Sequence, residues 1–535
     1  MKKLVVLLFV TLVALSAFAC TIVAVGKDAM EDGSTVITHN DDSTSADFRL
    51  WTIPAKDWEE GATRDIVIDS HNYNDFGNFP ESIVYGKGTV MAQIPQVPHT
   101  YSYFHSRYSF MNEMGVAMGE STFSIDTSTE YGKKVNDVMV RNSWGIVDCW
   151  AAQDIALERA TTAKEAVQIM GDLIEEYGWY GSGETINVCD GNEVWIVEFY
   201  GNDVWVAVKI PDDHFFVAAN RARILDYDPD DTENYMASPN IISFAVDQGW
   251  YDPESGEPFE VAKIYAPNDN LYATRREWRA FDIVAPSLGL SPQALRFPLS
   301  VKPEQKLTVK DVWDIKADYY QGTDYDLTVG AAAGPWGDPL RYATWGNGTW
   351  ERSINMHRTC YVHIANVKAW LPEGVKALSW FGYGAPDTSY IVPLWPIVNE
   401  DGQTIPDFYE TGSRFEEFRT DSGWWVNTYV QQMTELRYAE AIENVRAFRD
   451  PKEEMLFTVT PLVQEEAAKI YETDPQAAIN LINEYSYQNA LAFHEEWIEL
   501  GNWLLGNYAM GYRNFSTTPY PEWWNEVIDF GYPER

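Results

Sequence analysis

The 535-residue chain predicts an α+β protein with a helical C-terminal extension. Three observations carry this prediction. Residues 20–130 are rich in strand signals, interrupted by Gly, Asn, Asp and Pro. Two helical patterns between residues 147 and 178 then separate these strands from four more, and after about residue 408 the pattern turns helical. Blocks of strands, paired helices and further strands suit a layered architecture in which helices cover stacked sheets.

The N-terminus predicts a signal peptide over residues 1–19. Its three parts are a positive start, an apolar run and a small-residue cleavage site: Lys2-Lys3, residues 4–14 and Ala17-Phe18-Ala19. Cleavage there would make Cys20 the first residue of a secreted or periplasmic protein. Its thiol and a free α-amine would then form a nucleophile and a base within one residue.

Two other interpretations of Cys20 stay open. It could carry a lipid anchor, although lipoprotein sites usually have Leu three residues before the cysteine, where this chain has Ala17. It could also be a buried structural thiol, because free cysteine is among the most buried residue types.

The stretch that follows Cys20 predicts an antiparallel hairpin. Residues 20–26 and 34–39 are β-branched strands, and Asp32-Gly33 marks a turn between them. A hairpin centred near residue 30 brings Cys20 opposite roughly Asp42. Because side chains alternate along a strand, Cys20, Asn40 and Asp42 are expected on one face. A carboxylate would thus approach the N-terminal amine.

The middle of the chain predicts further elements in order. A strand at 100–104 and a tight turn at 110–115 precede a strand beginning at residue 116. A helix is predicted at 147–160, and a second one opens with the capping box Thr162-x-x-Glu165 and ends at Gly178. Strands at 185–189, 193–199, 204–209 and 215–219 follow, then a helix at 278–284 and an irregular region at 286–350.

The last part of the chain predicts helices packed against the rest. Asp474-Pro475 is a cap followed by proline at the first helical position, and a further helix is expected over residues 489–508. We therefore divide the mature chain into a catalytic domain, residues 20–407, and a helical extension, residues 408–535. The extension could serve as a lid, a packing support or an interface of a homo-oligomer.

Composition excludes several classes of function. The formal net charge is −41 and the isoelectric point about 4.4, so nucleic acid is not an expected partner. Beyond residue 19 no stretch is apolar and long enough to span a membrane. The eight His residues form no recognisable metal set, and no cofactor motif appears. Cys149, Cys189 and Cys360 allow at most one disulfide, and the sequence does not choose the pair.

Several segments resemble the dipeptidase-A family of N-terminal-nucleophile (Ntn) cysteine peptidases, relatives of penicillin V acylase and bile-salt hydrolase. The resemblance extends to about residue 400 and is carried by residues 20–29, 32–43, 111–118, 183–198, 218–224, 276–281 and 390–394. It implies the αββα four-layer sandwich of Ntn hydrolases. It also implies a cysteine dipeptidase that needs no cofactor and acts on short peptides.

The resemblance also implies catalytic roles. Cys20 matches the nucleophile, Asp42 the Asp that holds its amine, Asn220 an Asn that donates to the oxyanion, and Arg276 an Arg near the nucleophile. From the residues alone, Asn220 could instead cap a turn. Arg276 could be a helix-surface Arg, and its neighbours at 275 and 279 compete for the assignment.

Two further positions are assigned to substrate binding. Thr122 falls where the acylase relatives have an oxyanion Asn, and His39 where they have an Arg that activates the thiol. A strand His satisfied by its neighbours is an equally good interpretation of His39. Two alternative functions also stay open: an Ntn amidase acting on a penicillin or a conjugated bile acid, and a Trp-rich glycan-binding lipoprotein anchored through Cys20.

Overall fold

The computed structural model describes residues 20–43, 47–68, 89–340, 351–398, 405–412, 416–514 and 516–528. The predicted signal peptide, residues 1–19, lies outside the described residues. Strands and helices are numbered below in chain order.

One antiparallel sheet contains the strand that follows Cys20. Its seven strands, in spatial order, are β16 (Ser300–Val301), β14 (Phe215–Ala218), β1 (Ile22–Val25), β2 (Thr35–Asp41), β17 (Tyr361–Val367), β18 (Ala377–Tyr383) and β19 (Val392–Leu394). Every residue of β1, β2, β17 and β18 is buried. These central strands are therefore covered on both faces, which explains their nearly continuous apolar and β-branched sequences.

A second antiparallel sheet has eight strands. In spatial order they are β15 (Tyr235–Ala237), β13 (Val204–Lys209), β12 (Val194–Gly201), β11 (Gly183–Cys189), β10 (Ala117–Phe123), β9 (Met111–Asn112), β8 (Tyr103–His105) and β3 (Trp51–Ile53). Three two-stranded ribbons lie outside the two sheets: β4 (Lys56–Asp57) with β7 (His99–Thr100), β5 (Thr63–Ile68) with β6 (Thr89–Pro95), and β20 (Tyr512–Arg513) with β21 (Ser516–Thr517).

The described helices are α1 (Glu130–Asn136), α2 (Cys149–Arg159), α3 (Ala163–Tyr177), α4 (Ile241–Asp247), α5 (Val261–Tyr265), α6 (Leu271–Val284), α7 (Val309–Lys316), α8 (Gly423–Glu435), α9 (Tyr438–Tyr471), α10 (Pro475–Tyr508) and α11 (Glu522–Ile528). A π-helical turn, Asp137–Arg141, continues α1. Sheets and helices together make the α+β class of the prediction.

The two sheets contact each other through β2 and β10. Gly119 in β10 makes this close approach possible, since a Cβ atom there would lie 2.7 Å from the Thr38 carbonyl oxygen. Asn187 in β11 donates from Nδ2 to the carbonyls of Val23 and Thr38, at 2.9 and 3.2 Å. Helix α3 packs on the second sheet, while α6 and α7 contact β14 and β17 of the first.

The paired helices confirm the prediction for residues 147–178. The Thr162 hydroxyl accepts a hydrogen bond from the Glu165 N–H, and the chain leaves the helix at Gly178 with φ of 70°. In a complete capping box the Glu165 carboxylate would accept from the backbone N–H of Thr162. Here it accepts instead from the backbone N–H and the hydroxyl of Thr161.

Several boundaries differ from the predictions. The helix expected at 278–284 begins at Leu271, because its first turns bury charged residues that hide the apolar repeat. The region 286–350 was expected to be irregular, but it contains α7, whose Thr308 and Asp311 form a reciprocal capping box. The strand expected at 100–104 is divided between β7 and β8. Residues 341–350 lie outside the described part.

The C-terminal helices pack on the edge of the first sheet. Helices α9 and α10 contact β19, and α8 contacts β18. The Asp474 carboxylate caps α10 by accepting from the Ala477 N–H, as the Asp-Pro signal predicts. The stretches expected to be two helices, from residue 475 and from residue 489, are one continuous helix. The division at residue 407 stays a prediction.

No helix in the described ranges has the length and apolarity required to cross a membrane. The four cysteines all lie in these ranges; each is buried and none forms a disulfide.

Candidate active site

Cys20 lies immediately before β1 and is buried. Its Sγ donates to Glu120 Oε1 at 2.9 Å, and His39 Nε2 lies 3.1 Å from the same oxygen. The β1–β2 ladder pairs Ala24 with Ile37. Continued back to Cys20, this register places Asp41 opposite it, rather than Asp42. A shift of one residue changes the face, so Cys20 shares its face with His39 and Asp41, and Asn40 and Asp42 lie on the other.

Arg276 binds the backbone of the predicted nucleophile. Its Nη1 donates to the Cys20 carbonyl and to Thr21 Oγ1, each at 2.9 Å. Its Nη2 donates to the Ala219 carbonyl at 3.0 Å and to Asn220 Oδ1 at 2.9 Å. The side chain is fully buried, so Arg276 is not a helix-surface Arg.

The two neighbouring arginines of the same helix have other partners. Arg275 lies over the ring of Tyr325 and pairs with Glu351, whereas Arg279 pairs with Asp318. The structure therefore distinguishes Arg276 from the two residues that competed with it in the sequence.

Asn220 directly follows β14 and has a left-handed backbone with φ of 63°. Its backbone N–H donates to Ser121 Oγ at 2.8 Å, and its Nδ2 donates to the Thr122 carbonyl at 2.8 Å. Arg276 and Arg352 both donate to its Oδ1. The amide side chain is thus held from both ends in one orientation.

Asp42 accepts hydrogen bonds on the opposite face of β2 from Cys20. Thr359 Oγ1 donates to it at 2.6 Å, and Asn40 Nδ2 and Arg352 Nη2 donate as well. Lys316 is close by, since its ammonium donates to the Thr21 carbonyl and to Asn40 Oδ1. The Asp42 carboxylate is therefore surrounded by cations. It lies one residue beyond Asp41, which is the residue that the register of the hairpin places opposite Cys20.

Thr122 and His39 both contact Glu120. Thr122 Oγ1 lies 3.3 Å from Glu120 Oε2 and 2.8 Å from Glu184 Oε1. His39 Nδ1 has no hydrogen-bond partner among the described residues, and its ring meets the Tyr108 ring edge-on. The six residues proposed from the sequence therefore lie in one connected cluster, while their catalytic roles stay predictions.

The thiol is held in its neutral form. Burial raises the pKa of Cys20 well above its usual value, and the charges of Glu120, Asp41 and Asp42 raise it further. Burial also raises the pKa of Asp41 to about 6. The thiol therefore needs a nearby cation or a base before it can react.

Burial lowers the pKa of two cations near the cluster. The pKa of Lys316 falls to about 7, because burial outweighs the attraction of Asp42 and of the thiolate. The pKa of Arg276 falls to about 10, through burial and the repulsion of Arg352. The charged forms of both side chains are therefore held at a cost in free energy.

Sequence patterns did not predict four residues of the cluster: Glu120, Glu184, Lys316 and Arg352. The two glutamates carried a usable signal, because each is an acidic residue inside a strand whose other residues, apart from the half-buried Thr122, are buried. Lys316 lies in the region 286–350 that was predicted to be irregular, Arg352 lies two residues beyond it, and no local pattern marks either of them.

Cys20, His39 and Glu120 each offer one ligand atom within 4.8 Å of the others, which is the spacing of a metal site. The hydrogen bonds among these three groups already account for their approach, and we assign no metal to them. Carboxylate, imidazole and thiol at this spacing can also exchange protons.

Comparisons with known proteins are consistent with this arrangement. Residues 19–450 match the model of peptidase family C69. A "probable dipeptidase" of Salmonella dublin is 29% identical over 387 residues, which cover 70% of this chain and 81% of the relative. A "probable dipeptidase" of Latilactobacillus sakei is 28% identical over 434 residues, covering 78% and 82%. A "dipeptidase" of Bifidobacterium longum is 23% identical over 503 residues, covering 88% and 87%.

The fold and the buried cysteine cluster thus belong to a hydrolytic enzyme. The chain is a member of peptidase family C69 and is a peptidase.

Proposed function

We propose that this protein is an exported cysteine dipeptidase of the N-terminal-nucleophile type, which hydrolyses unblocked dipeptides through Cys20. The observation that carries the proposal is the position of Cys20, whose Sγ meets Glu120 at 2.9 Å while Arg276 binds its carbonyl oxygen. The relatives named dipeptidase, which this chain matches over 70 to 88% of its length, support the choice of substrate. None of the three relatives described above is named an amidase, so the acyl-amidase alternative is not favoured.

The environment of the thiol supports activation by cleavage before Cys20. The family match begins at residue 19, next to the predicted cleavage site. In the uncut chain the Cys20 nitrogen is an amide, which cannot act as a base, and burial among acidic groups raises the pKa of the thiol. Cleavage creates an α-amine of pKa ~7.7–8.0 in the same residue. The amine supplies both the missing base and, once protonated, a positive charge beside the thiolate.

The reaction then needs only this amine and one water. The neutral amine takes the thiol proton, and the thiolate attacks the carbonyl carbon of the dipeptide. When the tetrahedral intermediate collapses, the C–N bond breaks and the ammonium gives its proton to the leaving amine. Water activated by the amine hydrolyses the thioester, which releases the first amino acid and restores the thiol.

Three neighbouring residues take supporting roles in this mechanism. Asp42, oriented by Arg352 and Thr359, holds the ammonium form of the amine. Asn220, held by its bonds to Thr122 and Arg276, donates its amide to the developing oxyanion. Arg276 positions Cys20 through the carbonyl oxygen.

We extend the proposal to the architecture and the location of the enzyme. The contact between the two sheets, with α3 on one and α6 and α7 on the other, supports an Ntn four-layer sandwich over residues 20–407. Helices α8, α9 and α10, within residues 408–535, then support the edge of the first sheet. Export through the signal peptide makes the enzyme secreted or periplasmic.

Three forms of the protein test the mechanism: one beginning at Cys20, one with an untrimmed Met before Cys20, and Cys20→Ala. Intact mass spectrometry verifies each N-terminus, and circular dichroism verifies that each is folded. We expect turnover of an L-dipeptide by the first form alone. Full activity of the form with the extra Met would refute the N-terminal mechanism, and full activity of Cys20→Ala would refute the nucleophile.

Substrate panels test the activity itself. The form beginning at Cys20 should cleave free L-dipeptides, with large losses on N-acetylation or on extension to a tetrapeptide. If penicillin V or a conjugated bile acid were hydrolysed faster than any dipeptide, the acyl-amidase alternative would replace the dipeptidase.

A further inference from the structure

Two buried carboxyl groups beside Cys20 have no role in the mechanism above. Glu120 lies in β10, and Glu184 lies in the neighbouring strand β11. Thr122 is paired with Glu184 across the ladder, and its hydroxyl lies within hydrogen-bond distance of both carboxyls, 3.3 Å from Glu120 Oε2 and 2.8 Å from Glu184 Oε1. Because directly paired and alternate residues share a face, the two carboxyls point to the same place.

The pKa values of the two carboxyl groups are shifted in opposite directions. Burial works to raise the pKa of Glu120, but the hydrogen bond and charge of His39 and a hydrogen bond with Glu184 outweigh it and lower the pKa. Burial and the charge of Glu120 raise the pKa of Glu184 well above its usual value, which favours the protonated form of Glu184. Arg107 and Thr122 oppose this rise without cancelling it.

The pair also has capacity for another donor. Glu184 is buried, and its Oε2 accepts no hydrogen bond from any described residue. The groups that interact with the pair from other elements are the His39 ring and the Asp41 carboxyl from β2, the Cys20 thiol, Arg107 and Tyr108 from the loop after β8, Cys149 from α2 and Tyr361 from β17. Two buried carboxyl groups, one of which has an oxygen that accepts no hydrogen bond, are suited to bind a cation that enters the site from solvent.

A dipeptide brings such a cation to this position. Its α-nitrogen lies ~2.5 Å from the carbonyl carbon that is attacked, as bond lengths and angles require. The attacking sulfur approaches that carbon to ~3–3.5 Å. The α-ammonium is therefore within ~6 Å of Cys20 Sγ, and Glu120 Oε1 at 2.9 Å from Sγ lies inside this radius.

We propose that Glu120 and Glu184 form the binding site for the α-ammonium group of the substrate, and that Glu184 is the residue that selects unblocked dipeptides. This inference rests on the dipeptidase function proposed above. The ammonium hydrogens bind the carboxylate oxygens of the pair, and the proton that Glu184 held leaves to solvent as the cation enters. An N-acetylated substrate has no charge to replace that proton, and its acyl group would occupy the same space.

The isosteric variant Glu184→Gln tests this assignment. Wild type should prefer a free dipeptide over its N-acetyl form in kcat/KM. Glu184→Gln should lose ~30-fold or more of kcat/KM on the free dipeptide, mainly through KM, because a desolvated charge pair is broken. Its kcat/KM on the N-acetyl form should fall much less, so the selectivity ratio collapses.

Glu198→Gln provides the matched control. Glu198 is buried like Glu184 and lies in the adjacent strand β12, but its partners are the hydroxyls of Tyr200 and Thr185 and the backbone N–H groups of Arg223 and Ile224. The Glu198→Gln variant should keep the wild-type selectivity ratio for free over N-acetylated dipeptide, even where the substitution lowers the stability of the protein.

A binding measurement separates selectivity from turnover. In the Cys20→Ala background, calorimetry should show tighter binding of the free dipeptide than of its N-acetyl form, and Glu184→Gln should remove this difference. Wild-type selectivity in Glu184→Gln, or equal binding of both ligands by a Cys20→Ala protein with Glu184 intact, would overturn the assignment. If wild type itself cleaved both substrates equally, the proposed preference for unblocked dipeptides would fail instead.

Discussion

Replacing Arg276 with Lys tests whether a single guanidinium orders the proposed nucleophile, Cys20, and the proposed oxyanion donor, Asn220, together. Arg276 donates five hydrogen bonds, to the carbonyls of Tyr272, Cys20 and Ala219, to Thr21 Oγ1 and to Asn220 Oδ1. These acceptors lie on both sides of the side chain, and all are reached because the guanidinium is a planar fork with donors in fixed directions. Lys keeps the positive charge but has one nitrogen with three hydrogens.

The expected loss follows from this difference in donors. At least two of the five acceptors lose their partner in Arg276→Lys. Each unsatisfied buried acceptor costs ~1–3 kcal/mol, so the free energy of unfolding should fall by ~2–6 kcal/mol. Asn220 also loses one of the two arginines on its Oδ1. A misplaced oxyanion donor lowers kcat by ~10²–10³-fold.

Urea denaturation gives the change in stability, and initial rates at saturating dipeptide give kcat under conditions where the variant is folded. Arg279→Lys is the control, because Arg279 lies one turn later in α6 and pairs with Asp318 instead. It should keep the wild-type kcat. If Arg276→Lys were destabilised yet turned over at the wild-type rate, Arg276 would be structural only. An equal loss of kcat in Arg279→Lys would refute the reasoning altogether.

Three further predictions follow from the same cluster. Asp42→Asn should lower the rate and move the acid limb of the pH–rate profile to lower pH, because a carboxylate that favours the ammonium form of Cys20 is removed; an unchanged profile would leave Asp42 as a structural partner of Arg352 and Thr359 only. Gly119→Ala and Gly382→Ala should both lose ~1–3 kcal/mol in urea denaturation, since a Cβ at either meets a backbone carbonyl. Only Gly119→Ala, which separates the sheets beside the thiol, should also lower kcat. Burial lowers the pKa of Lys316 to about 7 from 10.5, so the unfolded chain binds more protons between these pH values and stability rises with pH there. Lys316→Met should remove up to ~4 kcal/mol of that rise, measured as the free energy of unfolding at pH 7 and pH 10.

Sequence patterns predicted those helices and strands whose ends and composition depend on residues close together in the chain. The paired helices α2 and α3 were found because Thr162 caps the second one and Gly178 ends it, and both effects act within one turn. The strands of the hairpin after Cys20 were found from their β-branched residues. The start of α6 and all of α7 were missed, because their buried charged residues are compensated by partners far away in the chain.

The candidate site divides in the same way. The sequence by itself predicted that Cys20 precedes a strand and follows a signal-peptide cleavage site, since both patterns are contiguous in the chain. Only the tertiary structure decided that Glu120, 100 residues away, accepts a hydrogen bond from its thiol, and that Arg352, 310 residues from Asp42, binds that carboxylate. Side-chain alternation predicts a face but not the register, and the difference of one residue between Asp41 and Asp42 exchanged the two faces. Buried charges are stable only when sheet packing brings their partners within hydrogen-bond distance, and that packing leaves no local trace in the chain.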